Sequence, residues 1–476
     1  MSVLDAIGDT PLIRLTRITA GLAAEVHLKA EFLNPGGSVK DRAALAMVQA
    51  AEAAGELRPG GVIVEGTSGN TGIGLAMIAA QRGYRAVVVV PDKSSVEKTN
   101  TLRAYGAEVV ITTGGVTRED PRHVSQVAAR LAEQTPGAWL AGQYDNPANP
   151  GAHQATTGPE IWRQTAGRVT HFVAGVGTGG TISGAGAYLR SAGPVTVIGA
   201  DPESSVYGGG DGSPYYVESI GHYVHPDTVE DVWPLSYHPA VAHRIERISD
   251  RESIEATRRL AREEGILAGA STGTAVAAAL RVARELGPEH LVVVLAPDSG
   301  RAYLSKYFDD GWLRRAGFPA PTLPGPLVGD GEVVVPALLP ASARAGELSA
   351  AAVALLVLPR GGRPAVDPSP GDVVGVVPAG AVAGVAADAP LAAIARPLPV
   401  VGAGEPISEA LARTPGDAPW LGVLTDGRIR GVISRADVAT AVRVQEVRGV
   451  GGVDTFGLTK DGTHVSDLDS VDRGAR

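Results

Sequence analysis

From Val26 to about Gly317, short apolar runs alternate with stretches of helical composition, and few folds accept that alternation. The apolar runs are Val62 to Glu65, Ala86 to Pro91, Glu108 to Thr112, His171 to Ala174, Val195 to Ala200 and Leu291 to Ala296. The helical stretches are Thr71 to Arg82, Ser94 to Tyr105, Pro121 to Gln134, Ile182 to Ser191, Asp250 to Glu264 and Thr274 to Leu286. Runs that are apolar throughout suit strands buried on both faces, so the pattern predicts an α/β fold of open, mostly parallel sheets covered by helices. Ligands of such sheets collect at the carboxyl ends of the strands, which is where the Gly-rich loops of this chain fall.

A chain of 476 residues has room for two or three cores. Hydrophobic residues make up 44% of it, and apolar runs such as Ala86 to Val90 and Leu291 to Ala296 end at Pro91 and Pro297, well short of the roughly 20 residues that cross a bilayer. Met1 to Pro11 shows no basic region followed by an apolar stretch, so a cytoplasmic protein is expected. The absence of cysteine excludes disulfides, thiolate metal sites and cysteine nucleophiles. A net charge of -9 without acidic blocks argues against nucleic acid or an anionic membrane as partner.

One segment is unusual for where it puts an amine. Asn34-Pro-Gly-Gly-Ser-Val-Lys40-Asp41-Arg42 is a turn followed by the alanine-rich Ala43 to Ala54, so Ser38 is expected to cap a helix and Lys40 to lie in its first turn. The positive end of a helix disfavours ammonium there and so favours the neutral amine or a Schiff base. Lysine is otherwise scarce, at positions 29, 93, 98, 306 and 460, in a chain rich in arginine.

Two glycine loops follow strands. Glu65-Gly-Thr67-Ser68-Gly-Asn70-Thr71-Gly72 offers backbone N–H groups, hydroxyls and an amide to an anion such as a carboxylate. Gly175-Val-Gly177-Thr178-Gly179-Gly180-Thr181 has the context of a phosphate cradle. Gly175, Gly177 and Gly180 also satisfy the dinucleotide fingerprint, with Asp201 placed for a ribose, so an NAD-dependent oxidoreductase is the rival reading. Against it, the fingerprint lies mid-chain and leaves Lys40 and the Thr67 to Thr71 loop without a role. Ser271, ahead of another alanine-rich helix, reads in isolation as a helix cap. Gln143 is uninformative alone, and His222 with His225 lacks a third ligand, so no metal is expected.

After residue 317 the texture changes. Residues 318–332 are Pro- and Gly-rich linker material, which few contacts should cross. Residues 333–446 repeat themselves: Ala345 to Leu355 matches Ala403 to Leu411 in a helix-opening pattern, and Gly375 to Val382 matches Gly431 to Val438. Residues 447–476 carry no periodicity and are expected to form a mobile tail.

Together, Asp9 to Leu12, Asn34 to Arg42, Thr67 to Gly72 and Gly177 to Thr181 resemble the pyridoxal-phosphate enzymes of the cysteine synthase and cystathionine β-synthase family, of tryptophan-synthase-β fold type. The resemblance runs from about Val3 to Gly317, within a catalytic domain expected over residues 1–317, and the segments at Thr157 to Trp162, Asp201 to Tyr207 and Tyr216 to Gly221 look more like cystathionine β-synthase than cysteine synthase. It implies pyridoxal 5'-phosphate held covalently by Lys40, with Asn70 on its 3-oxygen, Gly177, Thr178, Gly179, Gly180 and Thr181 on its phosphate and Ser271 on its pyridine nitrogen. Thr67, Ser68, Thr71 and Gln143 would take the substrate carboxylate, and Lys40 would act as general base in a β-elimination followed by addition of a nucleophile.

The expected reaction joins serine, or an activated serine, to homocysteine; the alternative is a cysteine synthase or another β-substituted-alanine synthase using O-acetylserine or O-phosphoserine. The repeats resemble a tandem CBS-domain pair, which implies an adenine nucleotide or S-adenosylmethionine as effector and a homo-oligomer, in the family a dimer. A protein that is chiefly a nucleotide-sensing regulator is the remote alternative. Three departures stand out. Ser219 replaces a usual glycine, and His222-Tyr223-Val224-His225 replaces an acidic or Tyr-Asp pattern, which puts the second substrate in question. Pro378 and Ala381 stand where the second repeat has Ser434 and Asp437, so the first repeat is degenerate. No haem is expected.

Overall fold

The chain builds two central sheets from strands whose side chains are covered on both faces. A computed structural model describes residues 1–349, 353–360 and 363–439. Its first ten strands are β1 (Leu12–Arg14), β2 (Glu25–Ala30), β3 (Val62–Gly66), β4 (Arg85–Pro91), β5 (Glu108–Thr112), β6 (Ala138–Leu140), β7 (His171–Gly175), β8 (Thr196–Pro202), β9 (Arg244–Ile248) and β10 (Leu291–Ala296). One sheet has the order β1-β2-β10-β7-β8-β9 and is parallel except for β1; the other, β5-β4-β3-β6, is parallel throughout. Every residue of β3 and β10 is buried, as the unbroken apolar sequence of β10 requires, and in β3 the burial includes Glu65.

Helices cover both sheets: α1 (Lys40–Ala54), α2 (Asn70–Arg82), α3 (Val96–Ala104), α4 (Val124–Gln134), α5 (Ala148–Ala152), α6 (Gly158–Gln164), α7 (Gly180–Ala192), α8 (Asp250–Arg259) and α9 (Ala270–Ala283). Met47, Val48, Leu75 and Ile78 of α1 and α2 pack with Ile63, Val88 and Val90 on one face of the smaller sheet. Ala275, Ala279 and Val282 of α9 pack with Val26, Val292 and Val294 of the larger sheet. Small residues along α9 let the helix approach closely, and twelve of its residues are buried.

Four strands and one helical segment escaped the sequence pattern. β1 and β6 are three residues long, and β9 reads Arg-Ile-Glu-Arg-Ile at a sheet edge, so neither type gives a sustained apolar run. β2 carries charged residues within an otherwise buried strand. The stretch Ala148 to Gln164 is helical throughout, with a π-helical turn at His153–Thr157 between α5 and α6. Its Pro147, Pro150 and Pro159 hide the helical signal, although proline is tolerated in a first turn.

The C-terminal region holds two small sheets of the same design. Ala337–Pro340 pairs parallel with Ala354–Val357, which pairs antiparallel with Val373–Val377. Likewise Val400–Gly402 pairs parallel with Trp420–Thr425, which pairs antiparallel with Arg428–Ser434. Gly375 and Gly431, matched in the sequence, both lie on third strands. The helix expected to open at Ala345 is only a 3-10 turn, Ala345–Glu347, and the chain is extended again from Ala354, whereas Ile407–Arg413 is a helix. Residues 350–352 and the expected tail lie outside the described residues.

The Pro-rich stretch is packed rather than free. Phe318 meets Tyr216 and Trp312 at ring-centroid distances of 5.2 and 6.1 Å, and Val328 is buried with Val401, Ile407 and Ile433. Asp426 and Gly427 donate backbone hydrogen bonds to Gly317 and Ala316 at 2.8 and 3.0 Å. Among the described residues, no helix is long and apolar enough to cross a membrane.

Candidate active site

The segment that delivers Lys40 is stapled to the end of β10. Val39 N–H donates to Pro297 O at 2.7 Å, Ser299 N–H donates to Gly37 O at 3.2 Å, and Ser38 forms a β-bridge with Asp298. Lys40 is the first residue of α1, whose formal cap is Val39 rather than the expected Ser38; the Ser38 hydroxyl nevertheless accepts the Lys40 N–H at 3.2 Å. The lysine keeps some accessible surface but lies deep, and desolvation brings its pKa down to about 8 against the opposing pull of Asp298.

Asn70 opens α2 at the carboxyl end of β3, and its Nδ2 donates to Asp298 Oδ2 at 2.7 Å. Tyr303 donates its hydroxyl to the same oxygen at 2.5 Å, while Asp298 Oδ1 is buried without a partner. A Cβ placed on Gly269 would run into that Asp298 oxygen, so α9 starts directly against the carboxylate. Two residues on, the Ser271 hydroxyl is buried and unpartnered, which a plain helix cap would not leave it.

The substrate-loop candidates group around Gln143. Thr71 Oγ1 donates to Gln143 Oε1 at 2.5 Å, and Glu65, at the end of β3, accepts from Gly142 N–H at 2.8 Å and from the Gln143 side chain. Burial pushes the Glu65 carboxyl up to about 7. Thr67 is buried and Ser68 half-buried in the same loop. A Cβ on Gly69 would meet the Lys98 chain at 2.6 Å, so only glycine lets the loop lie this close to α3.

The Gly177 to Thr181 loop joins β7 to α7 at the neighbouring strand end. A Cβ at Gly177 would lie 2.9 Å from Ser219 O, one at Gly179 would enter Tyr237, and one at Gly180 would enter the Asn149 amide. Gly179 also has φ +83, which favours glycine. Asn149 Nδ2 donates to Gln143 O at 2.8 Å and Thr178 Oγ1 at 3.1 Å, tying this loop to the substrate loop. Thr181 Oγ1 lies 3.2 Å from His153 Nε2, and burial holds that imidazole well below its ordinary pKa, as a neutral ring. Asp201, the ribose candidate of the rival reading, is turned inward: its Oδ2 accepts Gly208 N–H at 2.8 Å, and burial raises it to about 7.

Ser219 shows why its position suits glycine. Its φ is 72, in the left-handed region, and its hydroxyl lies 3.2 Å from Lys98 Nζ and 3.3 Å from Tyr303 Oη. Lys98 is fully buried, bonded to Glu218 Oε2 at 3.0 Å and 4.4 Å above the Tyr303 ring. His222 Nε2 lies 2.7 Å from Asp231 Oδ1 and its ring packs on Tyr207, so the side chain is engaged within the protein. Tyr223 faces Lys93 and Arg360, the latter from the C-terminal region. Among the described residues, no group of three His, Cys, Asp or Glu side chains could hold a metal ion.

Sequence reasoning missed Asp298, Tyr303, Asn149, Glu65, Lys98 and Glu218. Asp298 could have been found, since Pro297-Asp-Ser-Gly follows the fully apolar run Leu291 to Ala296 and strand ends collect ligands. The others depend on contacts between distant segments.

The family model for pyridoxal-phosphate dependent enzymes matches residues 3–298. The chain is 43% identical over 327 residues to a cystathionine beta-synthase of Apis mellifera, a match that covers 67% of this chain and 63% of that enzyme. It is 48% identical over 307 residues to a probable cysteine synthase of Bacillus subtilis (strain 168), covering 63% of this chain and 95% of the relative. The crystal structure of O-ureido-L-serine synthase superposes with a TM-score of 0.60 at 42% identity, over 65% of this chain and 95% of that one.

Proposed function

We propose, from the premise that this chain belongs to the family of pyridoxal-phosphate dependent enzymes, that it is a β-replacement synthase forming cystathionine from serine, or an activated serine, and homocysteine. The observation that carries the reading is the convergence at strand ends of a lysine with pKa about 8, the Asn70 amide and the unpartnered Ser271 hydroxyl. When bound, the cofactor supplies an electron sink that acidifies the amino acid's α-carbon and lets its β-substituent depart.

In this reading Lys40 holds the cofactor covalently and then serves as base at the α-carbon. With a pKa of about 8, roughly a tenth of the free amine is neutral at pH 7, against about one part in a few thousand for an ordinary lysine. Asn70 holds the 3-oxygen. Gly177, Thr178, Gly179, Gly180 and Thr181 hold the phosphate, where the N–H groups of the first turn of α7 face an anion. Ser271 would hold the pyridine nitrogen, where its otherwise unpartnered hydroxyl could donate without supplying a charge. Thr67, Ser68, Thr71 and Gln143 take the carboxylate. Thr71 and Glu65 orient Gln143 so that its Nε2 is the donor it presents.

The likeness of Thr157 to Trp162 and Asp201 to Tyr207 to cystathionine β-synthase supports homocysteine as nucleophile. The alternative, favoured by the 48% identical cysteine synthase relative, is O-acetylserine or O-phosphoserine with sulfide. The equal design of the two small sheets supports a tandem CBS-domain pair, with one adenine nucleotide or S-adenosylmethionine per chain held by Ser434 and Asp437. A homodimer and a cytoplasmic location accompany this reading. Mass spectrometry of products from serine, O-acetylserine and O-phosphoserine, each offered with homocysteine or sulfide, tests it. Cystathionine is expected from serine and homocysteine, and cysteine alone would select the alternative.

A further inference from the structure

Asp298 is a buried carboxylate that none of the roles above employs. It sits among the cofactor candidates: Asn70 Nδ2 and the Tyr303 hydroxyl both donate to Oδ2, Gly269 abuts the carboxylate, and the Ser38 β-bridge places it beside the turn that delivers Lys40. Its second oxygen, Oδ1, is buried with no protein partner, an uncommon arrangement that calls for a donor from elsewhere in the site. Lys40 supplies such a donor. Once it has taken a proton from the substrate's α-carbon it is an ammonium in a desolvated cleft, and it needs a nearby negative charge until the proton passes to the leaving group.

We propose that Asp298 is the counter-charge for protonated Lys40 and, through the same carboxylate, the residue that fixes the Asn70 amide. It is a positioning residue, since it acts through Lys40 and Asn70. The proposal rests on the reading of Lys40 as the site's base. The proton balance is closed: the α-carbon–hydrogen bond breaks, its proton moves to Lys40 Nζ, and the departing β-substituent carries it away, with Asp298 keeping its charge throughout.

The surroundings of both groups agree with this. The charged group acting on the Lys40 amine is Asp298, and the nearby His153 imidazole is held neutral. Asp298 is raised by burial and by Glu218, and is lowered by Lys98, Tyr303 and Asn70. The net direction is upward, with burial the largest cause, and Lys98, from α3, opposes that rise while its own hydrogen bonds go to Glu218 and Ser219. A carboxylate favours the ammonium form of a neighbouring amine, so removing it must lower the lysine's pKa.

The test reads Lys40 directly, in cofactor-free protein. The rate of amine acylation at the Lys40 peptide is followed against pH by mass spectrometry, which the lysine's accessible surface permits. The parent should titrate near 8, and Asp298→Asn should move the midpoint down about one pH unit, giving about tenfold faster labelling on the acid side. Tyr303→Phe, which deletes one hydroxyl donated to the carboxylate and leaves its charge in place, should not lower the midpoint. An unchanged or raised midpoint in Asp298→Asn, or a fall in Tyr303→Phe as large as that in Asp298→Asn, overturns the proposal. A product assay that finds no β-replacement would instead overturn the functional reading, and the labelling midpoint would still stand as measured.

Discussion

Replacing Arg42 by alanine should destabilise the chain by about 3–5 kcal/mol, the cost of breaking a buried ion pair from one side. Arg42 lies two residues after Lys40 and bridges two buried carboxylates: its Nη1 and Nη2 reach Glu160 at 2.6 and 2.7 Å, and its Nε and Nη2 reach Glu31 at 2.7 and 2.8 Å. Lys29, fully buried, adds a bond to Glu160 at 2.6 Å. Burial alone would raise Glu160, yet Arg42 and Lys29 bring it from an ordinary 4.5 down to about 2. With its side chain only 7% exposed, that displacement corresponds to about 3 kcal/mol.

A depressed carboxylate contributes stability that is present above its unfolded pKa and lost as pH falls through its folded one. The Glu160 contribution is therefore intact at pH 7 and fades from about 4.5 towards 2. Denaturant titrations of parent and Arg42→Ala at pH 7 and pH 3 measure both statements, and the gap between the two proteins should narrow at the lower pH. Adding Glu31→Gln to Arg42→Ala should recover part of the loss, because Arg42 is the cation paired with buried Glu31 whereas Glu160 keeps Lys29, so one uncompensated buried charge disappears. A loss below about 1 kcal/mol at pH 7, or no recovery in the double variant, would show that the cluster is solvated and the reasoning wrong.

Ser219→Gly should relieve about 1 kcal/mol of left-handed backbone strain while deleting the hydroxyl between Lys98 and Tyr303; a thermal shift upward with altered kcat is expected, and a lowered Tm would show that the hydroxyl outweighs the strain. Arg360 pairs with buried Asp372 at 2.7 Å and donates to Val224 O at 2.7 Å and Gly212 O at 3.2 Å, so Arg360→Ala should speed amide hydrogen exchange across residues 212–224. Unchanged exchange there would mean that the C-terminal region does not hold this loop.

Much of the fold was legible because parallel strands are buried on both faces. β3, β7 and β10 declare themselves as apolar runs, whereas β9 alternates charge with isoleucine at an edge and looks like part of the helix that follows. The Ala148 to Gln164 helices were hidden by prolines that act only in first turns. Within the site, Lys40, Asn70 and the Gly177 to Thr181 loop stood out because local turn chemistry produces them. Asp298 did not, since its partner Asn70 is 228 residues away and its neighbour Lys40 approaches only through the staple between Val39 and Pro297. Ser271 was misleading in isolation for the opposite reason: its sequence context suits a helix cap, and only the enclosed environment shows a hydroxyl with nothing to bond.

The central claim is that Lys40 carries the cofactor. Borohydride reduction of protein purified with pyridoxal 5'-phosphate, followed by proteolysis and mass spectrometry, should find the pyridoxyl group on the peptide that contains Lys40 and on none that contains Lys29, Lys93, Lys98 or Lys306. Label on another lysine, or a Lys40→Ala variant that is still labelled and turns over normally, would contradict the account.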